Sequence, residues 1–267
     1  MFFKILFFIL LTVIVQDLKL NFNFVFYYIV VKHFMGKVVK EKIDLSFTLT
    51  DIWRLLTEEE RELIKSDARI VNFRKNETIH VEGDQPKDLM CLLKGKVKIY
   101  KDGVGGRSQI IRMIRPIQYF GYRAYFVKEP YVTASAAFET STICFISMEL
   151  IEKILYKNTQ LAFFFIQMLS FDLGVADERV VNLTQKHVRG RLAESLIFLK
   201  ESYGLEEDGA TIDIYLTRED LANLSNMTTA NAIRTLTAFV NEGVIYLDGR
   251  KIKIIDEEVL RKISKMG

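Results

Sequence analysis

The sequence has few of the residues from which metal centres and disulfide frameworks are built. It has 267 residues but only two cysteines, Cys91 and Cys144, and three histidines. The cysteines lie far apart in apolar segments, so we expect two small buried hydrophobic side chains. A disulfide framework or an iron–sulfur cluster needs more cysteines at closer spacing, and the scattered histidines form no zinc-ligand pattern. We therefore predict no metal site and no cofactor.

Catalytic signatures, flexible linkers and strong net charge are also scarce. The sequence contains no nucleophile elbow, P-loop or HExxH motif, so nothing in it predicts an enzyme. Three prolines and fourteen glycines argue against long disordered linkers. The formal net charge of +3 is mildly basic, which by itself is weak evidence for nucleic-acid binding.

The first 34 residues differ in composition from the rest. Two apolar runs, Phe2–Val15 and Phe22–Val31, are each shorter than the roughly 20 residues of a bilayer-spanning helix, and no small-x-small cleavage site follows the first run. Met35 then begins a conventional soluble sequence, MGKVVKEKIDLS. We predict that Met35 is the true start and that the preceding stretch is upstream DNA read as protein, in which case no membrane is involved. A membrane anchor is the alternative, and the intact mass of the native protein distinguishes the two.

Residues 35–158 have the pattern of a β-rich domain. A helix is predicted over Leu56–Lys65, with Thr57 as its N-cap and three glutamates in its first turn. Short apolar segments with glycine turns between them follow, which is typical of a sandwich, roll or barrel. The predicted strands are Ile70–Phe73, Thr78–Val81, Leu89–Leu93, Lys96–Tyr100, Gln109–Ile114, Thr133–Phe138 and Thr142–Ile146.

Residues 159–185 carry a sustained apolar heptad pattern. A strict period of 3.5 predicts a left-handed coiled coil, as in a parallel dimer. A second apolar stripe, formed by Leu161, Phe165, Met168, Phe171 and Val175, suggests that the helix also contacts the β-rich domain. We call the first set the heptad seam; it consists of Ala162, Ile166, Leu169, Leu173, Ala176, Val180 and Leu183.

Residues 186–267 contain the signature of a helix-turn-helix followed by a wing. Thr217 is the predicted N-cap of a short helix, and Ser225-Asn226-Met227 forms a tight turn. Thr228 caps a longer helix that runs to about Glu242 and ends at Gly243. Its inner face should hold Ile233, Leu236, Phe239 and Val240, and its outer face Asn231, Arg234 and Ala238. A hairpin with an Asp-Gly turn follows, formed by Val244–Leu247 and Lys251–Ile255.

The order of these motifs resembles the Crp/Fnr family of transcription regulators over roughly Leu56 to Ile255. Glu82-Gly83-Asp84, Lys94-Gly95-Lys96 and Phe120-Gly121 resemble the turns of the family's cyclic-nucleotide-binding β-roll. The resemblance implies an α+β fold with an N-terminal double-stranded, jelly-roll-like β-roll, a long dimerisation helix and a C-terminal winged helix-turn-helix. It also implies a cytoplasmic homodimer that binds double-stranded DNA, with RNA polymerase as a further partner if the protein is an activator.

The resemblance also implies roles for residues of the C-terminal half. Arg234 falls on the family's arginine that contacts guanine. Asn231 suits adenine, and Thr228, Thr229 and Arg218 suit phosphates or thymine methyl groups, although capping and solvent exposure explain Asn231 and the threonines equally well. Thr229-Ala230 stands where well-known members have Arg-Glu, so the target sequence should differ. In the hairpin, Arg250, Lys251 and Lys253 suit the DNA backbone, although Glu206-Glu207-Asp208 and Asp256-Glu257-Glu258 offset much of their charge.

The effector site departs from the family pattern. Tyr122 stands where nucleotide-binding members have the glutamate that binds ribose, and Val132 stands where they have the arginine that neutralises the phosphate. Without that guanidinium a phosphate loses its strongest contacts, so we expect no cAMP binding of the usual kind. Arg123 is either a substitute cation or an ordinary surface residue. The candidate pocket, for an unidentified effector or none, consists of Phe120, Gly121, Tyr122, Arg123 and Thr133.

Three functions follow from this sequence. The first is a sequence-specific, DNA-binding transcription regulator. The second is a cyclic-nucleotide-like ligand-binding module that regulates a partner protein, against which the missing glutamate and arginine argue. The third is an enzyme built on the roll, for which no catalytic residue is visible.

Overall fold

The structure is a computed structural model that describes residues 49–103 and 108–266. The apolar extension, residues 1–34, therefore lies outside the described residues, as does the proposed start at Met35. Two short helices come first, α1 (Thr50–Trp53) and α2 (Glu58–Asp67). Helix α2 begins with the predicted cap, because Thr57 and Glu60 exchange side-chain and backbone hydrogen bonds in a capping box.

Within the described residues, eight strands then form two four-stranded antiparallel sheets, in the orders β1-β8-β3-β6 and β2-β7-β4-β5. The seven predicted strands are present, with ends that shift by one or two residues. The eighth, β6, was missed, because two residues are too short to show an alternating pattern. The strands are β1 (Arg69–Phe73), β2 (Thr78–His80), β3 (Asp88–Lys94), β4 (Val97–Asp102), β5 (Ser108–Ile114), β6 (Tyr119–Phe120), β7 (Ala134–Ala137) and β8 (Ser141–Ser147).

Both cysteines lie in the apolar interior of this domain. Cys91 on β3 and Cys144 on β8 lie opposite each other in the register of the two strands. Both are free thiols, and neither side chain is exposed. Burial raises the pKa of both thiols, that of Cys144 to about 12. Since the thiolate is the reactive form, these residues behave as small hydrophobic side chains, as predicted.

Helices α3 (Tyr122–Phe126) and α4 (Met148–Leu155) precede the long helix α5 (Thr159–Gln185). The Asn158 side chain caps α5 by accepting a hydrogen bond from the Leu161 amide at 3.0 Å. Leu161 and Phe165 of the second stripe are buried against the roll, as expected, but Phe171 is 73% exposed. The second stripe therefore faces packed protein only over its first turns, and its last residue, Val175, lines a cavity.

The C-terminal half forms the predicted helix-turn-helix and hairpin around one apolar cluster, which includes Leu196, Leu221, Leu236 and Phe239. The turn between the two helices of the helix-turn-helix places Asn226 in the left-handed region, with φ of 50°. The elements are α6 (Val188–Tyr203), α7 (Arg218–Leu224), α8 (Thr229–Asn241), β9 (Ile245–Asp248), β10 (Lys251–Ile254) and α9 (Glu257–Met266).

The prediction that Ile233 lies on the inner face of α8 is wrong. Ile233 is 47% exposed, whereas Ala232, Leu236 and Phe239 are buried. In a helix, Ala232, Leu236 and Phe239 lie at spacings of four and three residues, so they share one face and Ile233 is turned about 100° away from Ala232. The outer face of α8 therefore carries an apolar side chain beside its polar ones.

Candidate nucleic-acid interface and effector cavity

The first turns of α8 bring the predicted base-reading residues together on an exposed surface. Thr228 caps the helix, since its hydroxyl accepts a hydrogen bond from the Asn231 amide at 3.2 Å. Thr228 and Thr229 are exposed. The Arg234 guanidinium is also exposed and donates to the Asn231 side-chain oxygen at 2.5 Å. This contact holds an amide and a guanidinium side by side, and both groups can bond to base edges.

Arg218 occupies a different position from the other predicted DNA contacts. It follows Thr217, which caps α7 as predicted by accepting a hydrogen bond from the Asp220 amide at 3.0 Å. The half-buried Arg218 guanidinium donates to the Gly249 carbonyl in the hairpin turn at 2.8 Å. Burial lowers the pKa of Arg218. The side chain therefore joins α7 to the wing, and a role in phosphate binding stays a prediction.

The wing presents fewer uncompensated charges than its sequence suggests. Arg250 lies exposed at the turn. Lys251 is also exposed, but its ammonium group contacts the Glu206 carboxylate at 2.9 Å, and Lys253 contacts Asp208 at 3.3 Å. The hydrogen bond from Lys251 to Glu206 raises the pKa of the lysine. The acidic segment noted in the sequence thus lies directly against the wing and compensates its lysines.

The predicted effector residues line one cavity of about 740 Å³ between the roll and α5. Gly121 allows the backbone to turn there, because its φ is 90° and a Cβ would collide with the Met90 side chain. The helix wall of the cavity is formed by part of the heptad seam, so a second subunit on the seam would adjoin it. The predicted residues that line the cavity are Phe120, Gly121, Tyr122, Arg123 and Thr133 from the roll, and Leu169, Leu173, Ala176, Val180 and Leu183 from the seam.

Two of the cavity's cations already have acidic partners. Arg112 bonds Asp172 at 2.6 Å, and the buried Tyr122 hydroxyl donates to the same carboxylate at 3.1 Å. Burial, followed by the charge of Asp172, raises the pKa of Tyr122. Lys101 is likewise paired with Glu82 at 2.7 Å. Arg123 lines the cavity and is exposed. Val132, at the family's arginine position, brings no charge.

A buried histidine also lines this cavity. His80 is 8% exposed, stacks on the Tyr131 ring with the centroids 4.0 Å apart, and shares a hydrogen bond with the Ser135 hydroxyl at 2.8 Å. Burial lowers the pKa of His80 to about 4, so the ring is neutral at pH 7. Its Nε2 atom is buried and has no hydrogen-bond partner in the described part of the chain.

Sequence reasoning missed the polar residues that join the roll, α5 and the helix-turn-helix. Arg179 of α5 donates to Ile110 and Leu224, on β5 and α7, and Lys98 of β4 pairs with Asp220 of α7 at 2.8 Å. The sequence did contain a signal that Arg179 lies beside the seam. Asp172 and Arg179 are seven residues apart, so they share one position of the heptad, immediately before Leu173 and Val180 of the seam.

Comparison with known proteins assigns the family. A model of the cyclic nucleotide-binding domain matches residues 70–158, and a model of the Crp-like helix-turn-helix domain matches residues 190–263. The chain belongs to the Crp/Fnr family of transcription regulators. As a member of this family it is a DNA-binding regulator with a sensory domain like those that bind cyclic nucleotides, and the family consists of regulators rather than enzymes.

Characterised Crp/Fnr relatives match over most of their length. The chain is 28% identical over 196 residues to the "Anaerobic regulatory protein" of Bacillus subtilis, a match that covers 73% of this chain and 82% of that protein. It is 24% identical over 196 residues to a "CRP-like cAMP-activated global transcriptional regulator" of Mycobacterium tuberculosis, covering 73% and 88%.

Solved structures show the same fold. The crp/fnr-family regulator from Eubacterium rectale superposes with a TM-score of 0.67 at 17% identity, over 80% of this chain and 97% of that one. FixK2 from Bradyrhizobium japonicum gives 0.66 at 21% identity, over 73% and 96%. These likenesses confirm the predicted order of β-roll, long helix and winged helix-turn-helix.

Within the described ranges, no group of three His, Cys, Asp or Glu side chains is arranged to hold a metal ion.

Proposed function

We propose that this Crp/Fnr regulator binds a two-fold symmetric DNA site as a homodimer, with α8 in the major groove and Arg234 contacting a guanine. Arg234 carries the proposal. It is exposed, its described hydrogen bond is to the neighbouring Asn231, and an arginine suits the O6 and N7 atoms of guanine. Thr228, Thr229 and Arg250 would contact the flanking backbone, and the proposed DNA-reading domain is residues 186–267.

The exposed seam of α5 supports the dimer. Ile166, Leu173 and Val180, one heptad apart, are 55%, 63% and 61% exposed, which is costly for apolar side chains in water. By length and composition α5 is also apolar enough to cross a membrane. Asp172 and Arg179 within it, together with the 3.5-residue period, favour a partner helix instead. We therefore propose residues 159–185 as the dimerisation helix.

The cavity beside Tyr122 is proposed as the effector site of a sensor domain over residues 35–158. Because Val132 stands at the family's arginine position and brings no charge, the cavity lacks the usual partner of a cyclic phosphate. Titration calorimetry with cAMP is expected to give no saturable heat. A saturable signal with one cAMP per protomer would refute this part of the proposal.

DNA binding is tested by fluorescence anisotropy with the DNA upstream of the protein's own gene and with a shuffled duplex of equal composition. The upstream duplex should bind more tightly, with two protomers per site and half-sites about one helical turn apart. The affinity for both duplexes should fall as salt rises, because phosphate contacts release counterions. Equal affinity for the two duplexes at every salt concentration would argue against sequence-specific reading at this locus.

The dimer is tested by placing a charge on the seam. Leu173→Glu should give a monomer in sedimentation velocity, because the carboxylate would be buried between two helices. Leu63→Glu is the matched control, since Leu63 is 50% exposed on α2 and lies outside the seam. A Leu173→Glu protein that still sediments as a dimer would show that subunits associate elsewhere. As a DNA-binding regulator the protein would act in the cytoplasm, and RNA polymerase would be a partner if it activates transcription.

A further inference from the structure

Arg179 differs from Arg112 and Lys101, the two acid-paired cations of the cavity, in what it bonds. Its guanidinium donates to three backbone carbonyls, those of Ile110 at 2.6 Å, Leu224 at 3.1 Å, and Ile111. Two of these carbonyls belong to β5, the edge strand of its sheet. A bulge in the β4–β5 pairing leaves Ile111 without a partner in the register, so its carbonyl is available to the arginine.

No carboxylate of the described residues lies within ion-pairing distance of Arg179. The neighbouring Glu194 acts on it only at longer range and is itself bonded to Lys186 and Asn182. Arg112 and Lys101 in the same cavity, by contrast, each contact an acid. Arg179 is therefore a partly buried positive charge whose hydrogen bonds, within the described residues, go to neutral carbonyl groups.

The cavity that Arg179 borders has mainly apolar walls. They come from the roll on one side and from the seam on the other, so an apolar body fits between them. Arg179 also borders a second cavity of about 340 Å³ between α5 and the helix-turn-helix. Residues that form the apolar walls of the larger cavity include Ile99, Ile111, Tyr131, Val132, Leu173 and Val180.

We propose that this cavity takes an organic anion with an apolar body and that Arg179 is the residue that binds its charged group. The inference rests on the proposed role of the cavity as the effector site. An anion forms charge-assisted hydrogen bonds with a guanidinium, and these are stronger than the bonds to neutral carbonyls that it would replace. The charged group of the anion would therefore be bound by Arg179 on α5, and not by a residue at position 132, where nucleotide-binding family members have their arginine.

When Arg179 replaces its carbonyl partners with the anion, ligand binding is also linked to the DNA-reading half. One carbonyl that Arg179 holds belongs to Leu224, the last residue of α7, 45 residues further along the chain. When the guanidinium turns to an anion, α7 loses this contact with α5. Binding in the cavity thereby alters how the helix-turn-helix is held.

Two fluorescent probes that differ by one sulfonate test the proposal. 8-Anilinonaphthalene-1-sulfonate is an apolar anion, and N-phenyl-1-naphthylamine is the same molecule without the charge. Arg179→Gln should weaken binding of the sulfonate probe about tenfold, the loss of one charge-assisted contact, and leave the uncharged probe within about twofold. Arg115→Gln is the matched control, because Arg115 also donates to a backbone carbonyl, that of Ser202, and does not line the cavity.

A second pair of variants shows where the probes bind. Val132→Trp fills the mouth of the cavity and should abolish binding of both probes, whereas Val127→Trp, at another exposed valine outside the cavity, should not. Equal weakening of both probes by Arg179→Gln, or no weakening of either, would overturn the proposal. Probe binding that survives Val132→Trp would overturn it as well.

A measurement on the unaltered protein covers the case in which Arg179→Gln does not fold. Octanoate and octanol are titrated against bound N-phenyl-1-naphthylamine, and octanoate should displace it at a concentration about tenfold lower, since only octanoate carries a charge for Arg179. Displacement by octanol at an equal or lower concentration would refute the proposal. None of these assays contains DNA, so their failure would leave the proposed DNA binding intact.

Discussion

Two arginines of the DNA-reading half and two titratable side chains of the sensor half are placed in opposite ways. In the reading half, Arg234 and Arg250 extend into solvent. In the sensor, Arg112 is paired with an acid and His80 is buried and neutral. The contrast suggests that changes in the reading half alter the affinity for DNA with little effect on folding, whereas changes in the sensor alter folding or ligand binding first.

The largest effect that this comparison predicts comes from the recognition helix. Arg234→Ala should weaken binding to the preferred DNA site by about 10- to 100-fold, corresponding to about 1–3 kcal/mol for one base-specific arginine. The free energy of unfolding should stay within about 0.5 kcal/mol, because the side chain is exposed. Anisotropy titrations and urea unfolding measure the two quantities.

Arg54→Ala is the control for this variant, since Arg54 is an exposed arginine of the sensor half. It should change neither quantity. If the Arg234→Ala protein keeps its preference for the site, Arg234 does not contact the bases, and the contrast between the two halves does not hold for this residue.

The next effect concerns the sensor and depends on pH. The pKa of His80 is lowered from 6.5 to about 4 in the folded protein, so below pH 6.5 the unfolded chain takes up more protons than the folded one. The stability that the neutral ring contributes above pH 6.5 is therefore lost as the pH falls towards 4. Between pH 7 and pH 5 the free energy of unfolding should fall by about 2 kcal/mol from this group.

Urea unfolding of His80→Gln measures this contribution, because the variant should lose about 2 kcal/mol less than the unaltered protein over the same interval. His187→Gln is the control, since His187 is exposed at the start of α6. Identical pH dependence in His80→Gln and the unaltered protein would mean that His80 is not the group responsible.

The smallest predicted effect concerns the wing, where the contrast between the halves is weakest. Glu206→Gln removes the carboxylate that pairs with Lys251 and should free the lysine for a phosphate. DNA affinity should rise about two- to threefold and the salt dependence should steepen by up to about one phosphate contact. Glu258→Gln, at an exposed acid of α9, controls for the change in net charge. If both variants raise the affinity equally, net charge alone explains the effect.

Much of the fold was predictable because its signals are local. Thr57, Thr217 and Thr228 were predicted as N-caps and each accepts the expected backbone hydrogen bond, since a cap involves residues only two or three positions away. Phe120 to Arg123 line one cavity together because β6 and α3 keep these sequence neighbours close, and Thr133 joins them from the position before β7. Ile233 was misplaced because a row of apolar residues four and three apart leaves the helix face ambiguous by one position.

The sequence by itself determined the order of strands, seam and the helices of the helix-turn-helix, because periodicity and capping act over a few residues. Only the tertiary structure decided which charges remain available. Glu206 neutralises Lys251 across 45 residues, and Arg179 reaches Ile110 across 69. Such contacts depend on how strands and helices from distant parts of the chain pack, and on a bulge that exposes one carbonyl. The heptad position of Arg179 therefore indicated that it lies beside the seam, but not which groups it bonds.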